Sequence, residues 1–166
     1  MAPRVVLVGP MGAGKTTVAG LLAQAWGVAV RDTDADIETT TGREISDIFV
    51  ESGEDVFRDL EVAAVATALA EHDGVLALGG GAVLRPETRA LLADVPVVFL
   101  RVGLSDAVKR VGLGVGRPLL LGNVRSRIKA LLDERTPVYE SVATHVVETD
   151  DRTPDEVADE IRGLLP

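Results

Sequence analysis

The chain has 166 residues, a length typical of one domain, and its 46% hydrophobic and 26% charged residues exclude a disordered chain. The net charge of −9 disfavours a nucleic-acid partner, and the absence of cysteine excludes disulfides and thiolate metal sites. No apolar run is long enough to span a membrane, and no signal-peptide pattern opens the sequence. We therefore expect a cytoplasmic protein without a membrane partner, and a monomer because no exposed apolar helix is predicted.

Short apolar runs alternate with helical patterns along the whole chain. We predict five strands, at residues 4–8, 28–30 (ending within 31–34), 75–78, 97–100 and 145–148. We predict helices at residues 15–26, 35–70 (with breaks at 41–42 and 52–53), 86–92, 105–110, 126–142 and 153–165. This alternation predicts a single α/β domain over residues 1–166, with a five-stranded, mostly parallel sheet and helices on both faces.

Residues that favour helix ends mark several of these boundaries. Gly27 is placed to end the first long helix, because glycine adopts the left-handed conformation of a C-cap. Ser46 and Ser52 are placed to cap pieces of the long helical segment. Ser105 and Thr153 are placed as N-caps of two later helices, and a proline follows Thr153 at the first helical position.

The clearest motif is a phosphate-binding loop, hereafter the phosphate loop (residues 9–16). Its sequence Gly9-Pro10-Met11-Gly12-Ala13-Gly14-Lys15-Thr16 matches G-x-x-x-x-G-K-[ST] between a predicted strand and a predicted helix. The glycines let backbone N–H groups turn around a phosphate chain, and the helix N-terminus adds further donors. In this pattern Lys15 binds the β- and γ-phosphates and the Thr16 hydroxyl binds Mg²⁺. The sequence therefore predicts a P-loop protein that binds a nucleoside triphosphate and Mg²⁺.

Two carboxylates follow the second predicted strand, at the sheet edge where the phosphate loop also lies. Alternation along an extended segment predicts that Asp32 and Asp34 point the same way. One carboxylate is then placed to hold a magnesium-bound water, and the other to orient or deprotonate an acceptor hydroxyl. The alternative is a solvated acidic turn in an acidic chain, and proximity to the phosphate loop favours the functional interpretation.

Three arginines are candidates for binding anions. Surface arginines usually form ion pairs that contribute little, so each of the three has that alternative. Arg117 lies in the glycine-rich segment 112–122, which is predicted to be a loop and from which an arginine can close over phosphates. Arg58 lies one residue after Phe57 in an otherwise acidic helical segment, and its guanidinium suits a planar substrate carboxylate. Arg135 is the third candidate. The predicted mobile lid spans about residues 112–124.

The phosphate loop is compatible with a small-molecule kinase or a nucleotide-dependent switch. A GTPase switch needs an Asn-Lys-x-Asp segment and an Asp-x-x-Gly segment. The single asparagine, Asn123, precedes a valine, and no aspartate has a glycine three residues later. The sequence thus favours a kinase, with another metabolite kinase of the gluconate type as the enzymatic alternative and the switch as the alternative of another class.

A series of short motifs resembles the shikimate kinase family over nearly the whole length of the chain. These motifs are Asp32-Thr33-Asp34, Gly42-Arg43-Glu44-Ile45-Ser46-Asp47-Ile48-Phe49, Gly53-Glu54, Phe57-Arg58-Asp59-Leu60-Glu61, Leu78-Gly79-Gly80-Gly81-Ala82, Arg117-Pro118-Leu119-Leu120 and Arg135-x-Pro137-x-Tyr139. The resemblance implies a P-loop kinase fold and the reaction of ATP with shikimate to give ADP and shikimate 3-phosphate, on the route to aromatic amino acids. It also implies ATP as co-substrate and Mg²⁺ as cofactor.

The resemblance further implies roles for individual residues. The nucleotide would contact Gly12, Ala13, Gly14, Lys15, Thr16, Thr17, Arg110, Arg117 and Arg152, with Arg110 and Arg152 flanking the adenine. Magnesium would be held by Thr16 and, through water, by Asp32. Shikimate would contact Asp34, Arg58, Gly79, Gly80, Gly81 and Arg135. Its pocket would be shaped by Phe49, Phe57 and Glu61, which lie in the substrate-binding helical segment, about residues 34–61. Lys15, Asp34 and Arg117 would be the catalytic residues.

Overall fold

A five-stranded parallel sheet forms the centre of the protein, which is represented by a computed structural model describing residues 2–115 and 121–166. The strands are β1 (Val5–Val8), β2 (Val30–Asp32), β3 (Val75–Ala77), β4 (Val97–Arg101) and β5 (His145–Glu148). Their spatial order is β2-β3-β1-β4-β5, and every neighbouring pair is parallel. Val6 of the central strand pairs with Leu76 on one side and with Val97 on the other. The expected five-stranded sheet is confirmed.

Eight α-helices occur in the described residues and account for the connections between the strands. They are α1 (Lys15–Trp26), α2 (Thr33–Thr41), α3 (Ile45–Ser52), α4 (Glu54–Glu71), α5 (Pro86–Leu91), α6 (Leu104–Val115), α7 (Leu121–Val142) and α8 (Pro154–Leu164). Gly27 ends α1 in the left-handed conformation, as predicted. Thr153 caps α8 in a reciprocal capping box with Glu156, also as predicted. None of these helices is both long and apolar enough to cross a bilayer.

The predicted serine caps of the long helical segment are wrong, although its two breaks are confirmed. Ser46 lies inside α3, whose N-cap is Glu44. The free N–H at the start of α3 donates instead to the Glu38 carboxylate of α2, at 3.1 Å, so a side-chain cap on α3 itself is not needed. Ser52 is the last residue of α3, and its hydroxyl accepts a hydrogen bond from Arg43.

The region around the predicted lid is more helical than its glycines indicate. Ser105 does not cap α6, because this helix begins one residue earlier, at Leu104, and continues to Val115. Residues 112–115 and 121–122, predicted to be loop, are helical. Each glycine in a helix costs about 1 kcal/mol of helix stability relative to alanine, and the adjoining helical turns outweigh this cost. The rest of that predicted loop, including Arg117, lies outside the described residues.

Helices cover both faces of the sheet, as predicted. Val5 and Leu7 of β1 pack into a cluster with residues of α1 and α8. Val6 and Val8 point to the opposite face and pack with residues of α4 and α7. Because helices cover both faces, every residue of β1 is buried. The loops of different elements meet at the carboxyl ends of the parallel strands, where ligands bind in such sheets.

Candidate active site

One large cavity lies at the carboxyl ends of β1, β2 and β3. Its volume is about 780 Å³, within the range of small-molecule sites. The phosphate loop lines one part, and the glycine turn (Gly79–Gly81) lines another together with residues of α3, α4 and α7. The turns after the first three strands thus meet at one edge of the sheet, as the sequence predicts.

The phosphate loop has the backbone shape that its glycines predict. Gly12 and Gly14 have φ angles of 85° and 90°, in the region that favours glycine. The Lys15 ammonium donates to the backbone carbonyls of Gly9 and Pro10, at 2.6 and 2.9 Å. Burial lowers the pKa of Lys15 to about 8, although the charges of two nearby aspartates raise it. An arriving phosphate would therefore meet a half-buried cation at the base of the loop.

The structure corrects the predicted geometry of the acidic pair. Asp32 is extended and caps α2, and its Oδ1 accepts the backbone N–H of Asp34 at 2.8 Å. Asp34 lies in the first turn of α2, so the two residues do not share an extended segment. The signal for this arrangement was in the sequence, since an aspartate followed by further acids is typical of a helix start. Both side chains nevertheless line the cavity.

The Asp34 carboxylate is packed closely against the glycine turn. A Cβ placed on Gly79 would lie 2.6 Å from Asp34 Oδ1 and 3.0 Å from Glu61 Oε2, so a side chain at position 79 would displace Asp34. Burial raises the pKa of Asp34 above its usual value, and the charge of Asp32 adds to this effect while Lys15 opposes it. These contacts make Asp34 a better proton acceptor than an exposed carboxylate and hold it beside Lys15.

Arg58 is held in position on several sides within the cavity wall. Only 8% of its surface is exposed, and its Nη1 donates to Glu61 Oε1 at 2.7 Å. Its Cζ lies 5.3 Å from the ring centre of Phe57 and 5.8 Å from that of Phe49. A Cβ on Gly81 would fall 2.7 Å from the same Cζ, so the guanidinium lies directly against the glycine turn. Arg58 is thus preorganised with little freedom to move.

Arg135 of α7 reaches the same turn from the other side of the cavity. A Cβ on Gly80 would lie 3.7 Å from its Nη1. The Arg135 Nε is buried and has no hydrogen-bond partner among the described residues. Within the same described part of the chain, the backbone N–H groups of Gly80 and Gly81 donate to no protein acceptor. We call Arg58 and Arg135 the acceptor clamp, because together with these free donors they suit a carboxylate.

Glu61 explains how the cation Arg58 tolerates burial. Its side chain is 2% exposed and its only close charged partner among the described residues is Arg58. Burial raises the pKa of the Glu61 carboxyl, whereas the hydrogen bond from Arg58 lowers it. Removing Arg58 would leave the Glu61 carboxylate buried without a charged partner, which is strongly destabilising. Removing Glu61 would leave Arg58 with only its longer ion pair to Glu54, at 3.3 Å. Glu61 therefore holds Arg58 in place within the cavity wall, and its role toward shikimate stays a prediction.

Comparison with known proteins identifies the family. The family model for shikimate kinase matches residues 11–165. A shikimate kinase of Salinispora tropica is 60% identical over 166 residues, which cover 100% of this chain and 99% of the relative. The solved shikimate kinase of Acinetobacter baumannii in complex with shikimate has a TM-score of 0.89 at 36% identity, covering 99% of this chain and 93% of that one. This chain belongs to the shikimate kinase family.

Membership of the shikimate kinase family makes the chain an ATP-dependent kinase. It also confirms the resemblance seen in the short motifs and the P-loop kinase fold. The two alternatives that the sequence left open, a gluconate-type kinase and a nucleotide-dependent switch, are excluded by the same full-length similarity.

The two predicted adenine contacts lie outside the cavity. Arg110 of α6 donates to the carbonyl of Gly12 at 2.8 Å and to that of Thr149 at 3.1 Å, so it links α6 to the phosphate loop. Arg152 lies next to the start of α8, where it pairs with Glu160 at 2.7 Å. Their roles toward adenine in this shikimate kinase family member stay predictions, as does the role of Arg117.

Arg127 was not identified from the sequence as a residue of the cavity, and Tyr139 was given no role. Arg127 lines the cavity two turns before Arg135 on the same face of α7. Arg127, Leu131 and Arg135 follow one another at a spacing of four residues inside the predicted helix 126–142, so this spacing could have revealed Arg127. Tyr139 was noted only as part of a motif, yet its hydroxyl donates to the Gly80 carbonyl of the glycine turn.

Proposed function

We propose that the chain transfers the γ-phosphoryl group of magnesium-bound ATP to the 3-hydroxyl of shikimate, giving ADP and shikimate 3-phosphate. The observation that carries the proposal is the acceptor clamp, which lies in one cavity with the phosphate loop. Shikimate is a carboxylate that also bears ring hydroxyls, so it can engage the clamp at one end and Asp34 at the other. This reaction would place the enzyme in the biosynthesis of aromatic amino acids.

The nucleotide half of the reaction rests on the phosphate loop. Backbone N–H groups of Gly12 and Gly14, with Thr16 and Thr17 at the start of α1, would form the cradle for the phosphates. The Ala13 N–H donates to the Pro10 carbonyl at 3.2 Å and would exchange this bond for one to a phosphate. Lys15 would exchange its bonds to two loop carbonyls for bonds to the β- and γ-phosphates. Because Lys15 is half-buried, water screens its charge on the phosphates less than it would at an exposed site.

The donor set at the loop fits Mg²⁺ only when nucleotide phosphates are present. Within the described residues no three His, Cys, Asp or Glu side chains form a site by themselves. Thr16 and Asp32 both line the cavity, and Asp32 uses Oδ1 to cap α2, which leaves Oδ2 for a magnesium-bound water. Mg²⁺ is typically bound by one or two protein oxygens, phosphates and waters. When bound, it would neutralise charge on the transferred phosphoryl group.

The acceptor half rests on the acceptor clamp and Asp34. Arg58 and Arg135 would bind the shikimate carboxylate together with the free N–H groups of the glycine turn. Asp34 would accept a hydrogen bond from the acceptor hydroxyl and take its proton as the phosphoryl group is transferred. The clamp thereby orients the hydroxyl for in-line attack, and positioning of this kind is a large part of catalysis in phosphoryl transfer. Arg117 and the lid would then cover the reacting groups.

A coupled assay of ADP release tests the proposal. We expect strong stimulation by shikimate and none by gluconate or a nucleoside monophosphate, and phosphorus NMR should identify the 3-phosphate. Lys15→Met is the control, because it should abolish turnover while circular dichroism shows an intact fold. Stimulation by gluconate instead of shikimate would reject the acceptor assignment. Full activity of Lys15→Met would reject the role of the phosphate loop.

A further inference from the structure

Tyr139 connects the helix that carries Arg135 to the glycine turn. It lies one turn after Arg135 in α7, and none of its surface is exposed. Its hydroxyl donates to the carbonyl of Gly80, and its ring packs on Phe99 of β4 with the ring centres 5.0 Å apart. A fully buried tyrosine could serve packing alone, but here its one polar atom contacts the backbone of the cavity wall.

Gly80 lies where the two halves of the cavity meet. A Cβ on this residue would be 3.7 Å from Arg135 Nη1 on the acceptor side. It would also be 3.7 Å from the backbone nitrogen of Met11 and 3.8 Å from the carbonyl oxygen of Gly9, both in the phosphate loop. Gly80 therefore lies between the phosphate loop and Arg135 of the acceptor clamp.

The direction of the Gly80 carbonyl also sets the direction of a free donor. The peptide bond between Gly80 and Gly81 is trans, so the Gly81 N–H points opposite to the Gly80 carbonyl. Since that carbonyl points to the Tyr139 hydroxyl, the Gly81 N–H points away from Tyr139. This N–H has no protein acceptor in the described part of the chain, and Gly81 lines the cavity beside Arg58.

The Tyr139 hydroxyl can act as a donor throughout the working range of pH. Burial raises the pKa of its phenol above the usual value, although the nearby Arg135 charge opposes this. The hydroxyl therefore stays protonated and keeps its bond to the Gly80 carbonyl. Without the hydroxyl, that carbonyl would lose its partner and the Gly80–Gly81 peptide would lose one restraint on its direction, while the Gly79 and Gly81 carbonyls would keep their bonds from Ala82 and Leu84.

We propose that Tyr139 is a positioning residue for the acceptor substrate. The Tyr139 hydroxyl fixes the Gly80–Gly81 peptide relative to Arg135, so that the substrate carboxylate is bound at the correct distance from the phosphate loop. The proposal rests on the function proposed above. It concerns shikimate and not ATP, because the hydrogen bond of Tyr139 directs the Gly80–Gly81 peptide beside Arg58, and among the described residues no hydrogen bond of Tyr139 reaches the phosphate loop.

The test is Tyr139→Phe, which removes one oxygen atom and keeps the ring against Phe99. We expect the KM for shikimate to rise about five- to tenfold and the KM for ATP to change less than about twofold. Thr144→Val is the control, because the Thr144 hydroxyl links the region just after α7 to the Val97 backbone at 2.9 Å without lining the cavity. It should lower stability and leave both KM values unchanged.

A substrate analogue separates positioning from general loosening of the site. In the primary-alcohol analogue of shikimate, the carboxylate that the clamp binds is absent. We expect wild type and Tyr139→Phe to differ less than about twofold in kcat/KM on this analogue, because the interaction that Tyr139 supports is already missing. An equally large difference on the analogue would overturn the proposal.

The remaining outcomes distinguish this proposal from the proposed function. If wild type itself does not phosphorylate shikimate, the proposed function fails. If wild type is active and Tyr139→Phe raises both KM values equally, or behaves like Thr144→Val, the positioning role is refuted. Should Tyr139→Phe be too unstable for kinetics, calorimetric titration of shikimate at low temperature gives the same comparison: weaker binding than in Thr144→Val supports the role, and equal binding refutes it.

Discussion

The contact between Gly81 and Arg58 leads to a sharp prediction for Gly81→Ala. The new methyl group would lie 2.7 Å from the Arg58 Cζ and 2.6 Å from its Nη1, much closer than van der Waals contact. Arg58 cannot retreat freely, because it is bonded to Glu61 at 2.7 Å and lies beside two aromatic rings. The backbone of residue 81, with φ −104° and ψ 7°, is allowed for alanine, so the effect is steric only.

The expected magnitude follows from this crowding. Overpacking of this kind costs about 1–3 kcal/mol in the free energy of unfolding. Displacing a charged donor from a carboxylate ligand costs about 1.5–3 kcal/mol, so the KM for shikimate should rise about ten- to one-hundred-fold. The KM for ATP should change little, because the three atoms nearest to the new methyl group all belong to Arg58 and none to the phosphate loop.

Urea denaturation without ligands and steady-state kinetics measure the two effects of Gly81→Ala. Gly80→Ala is the matched control for stability, since a Cβ there would meet nothing closer than 3.7 Å and should cost less than about 0.5 kcal/mol. If Gly81→Ala were as stable as Gly80→Ala and kept a normal KM for shikimate, Arg58 would be free to move, and the inferred preorganisation of the clamp would be refuted.

Three further predictions concern magnesium, pH and the lid. Asp32→Asn keeps a good N-cap for α2 but removes the charge, so the free energy of unfolding should change by less than about 1 kcal/mol. The Mg²⁺ concentration for half-maximal activity should rise, and an unchanged magnesium dependence would contradict the role of Asp32. Because the pKa of Lys15 is lowered from 10.5 to about 8, the unfolded chain binds more protons between these values. Stability of the wild type relative to Lys15→Met should therefore rise with pH from about 8 to 10.5 in denaturation experiments, and a flat difference would refute the burial of the charge. In hydrogen exchange, ATP with shikimate should protect the amides of residues 112–124, and no change there would argue against lid closure.

Local sequence signals predicted much of the fold. The phosphate loop, the Gly27 and Thr153 caps and the buried central strand β1 each depend on residues close in sequence, and the structure agrees with these predictions. The Asp32 region was predicted wrongly because alternation in a strand and capping of a helix compete over the same few residues. The acidic residues Asp34 and Asp36, which follow Asp32, indicated the start of a helix at this point.

Features that depend on distant contacts could not be predicted in the same way. The packing of Arg58 on Gly81 joins α4 to the turn after β3, and the bond from Tyr139 to Gly80 spans 59 positions in the sequence. Composition and periodicity carry no information about such pairs. The helical residues 112–115 show the reverse case, in which neighbouring turns outweigh a local glycine preference.

The charges that line the cavity bear on how anionic substrates reach an acidic protein. Among the described lining residues there are four cationic side chains and three carboxylates, a net charge of +1 in a chain whose net charge is −9. The long-range field therefore repels ATP and shikimate, and attraction acts only within about 8–10 Å at physiological ionic strength. Added salt should thus screen repulsion during approach as well as attraction at contact. Association rates should depend on ionic strength far less than in enzymes that steer their substrates through a field of opposite charge.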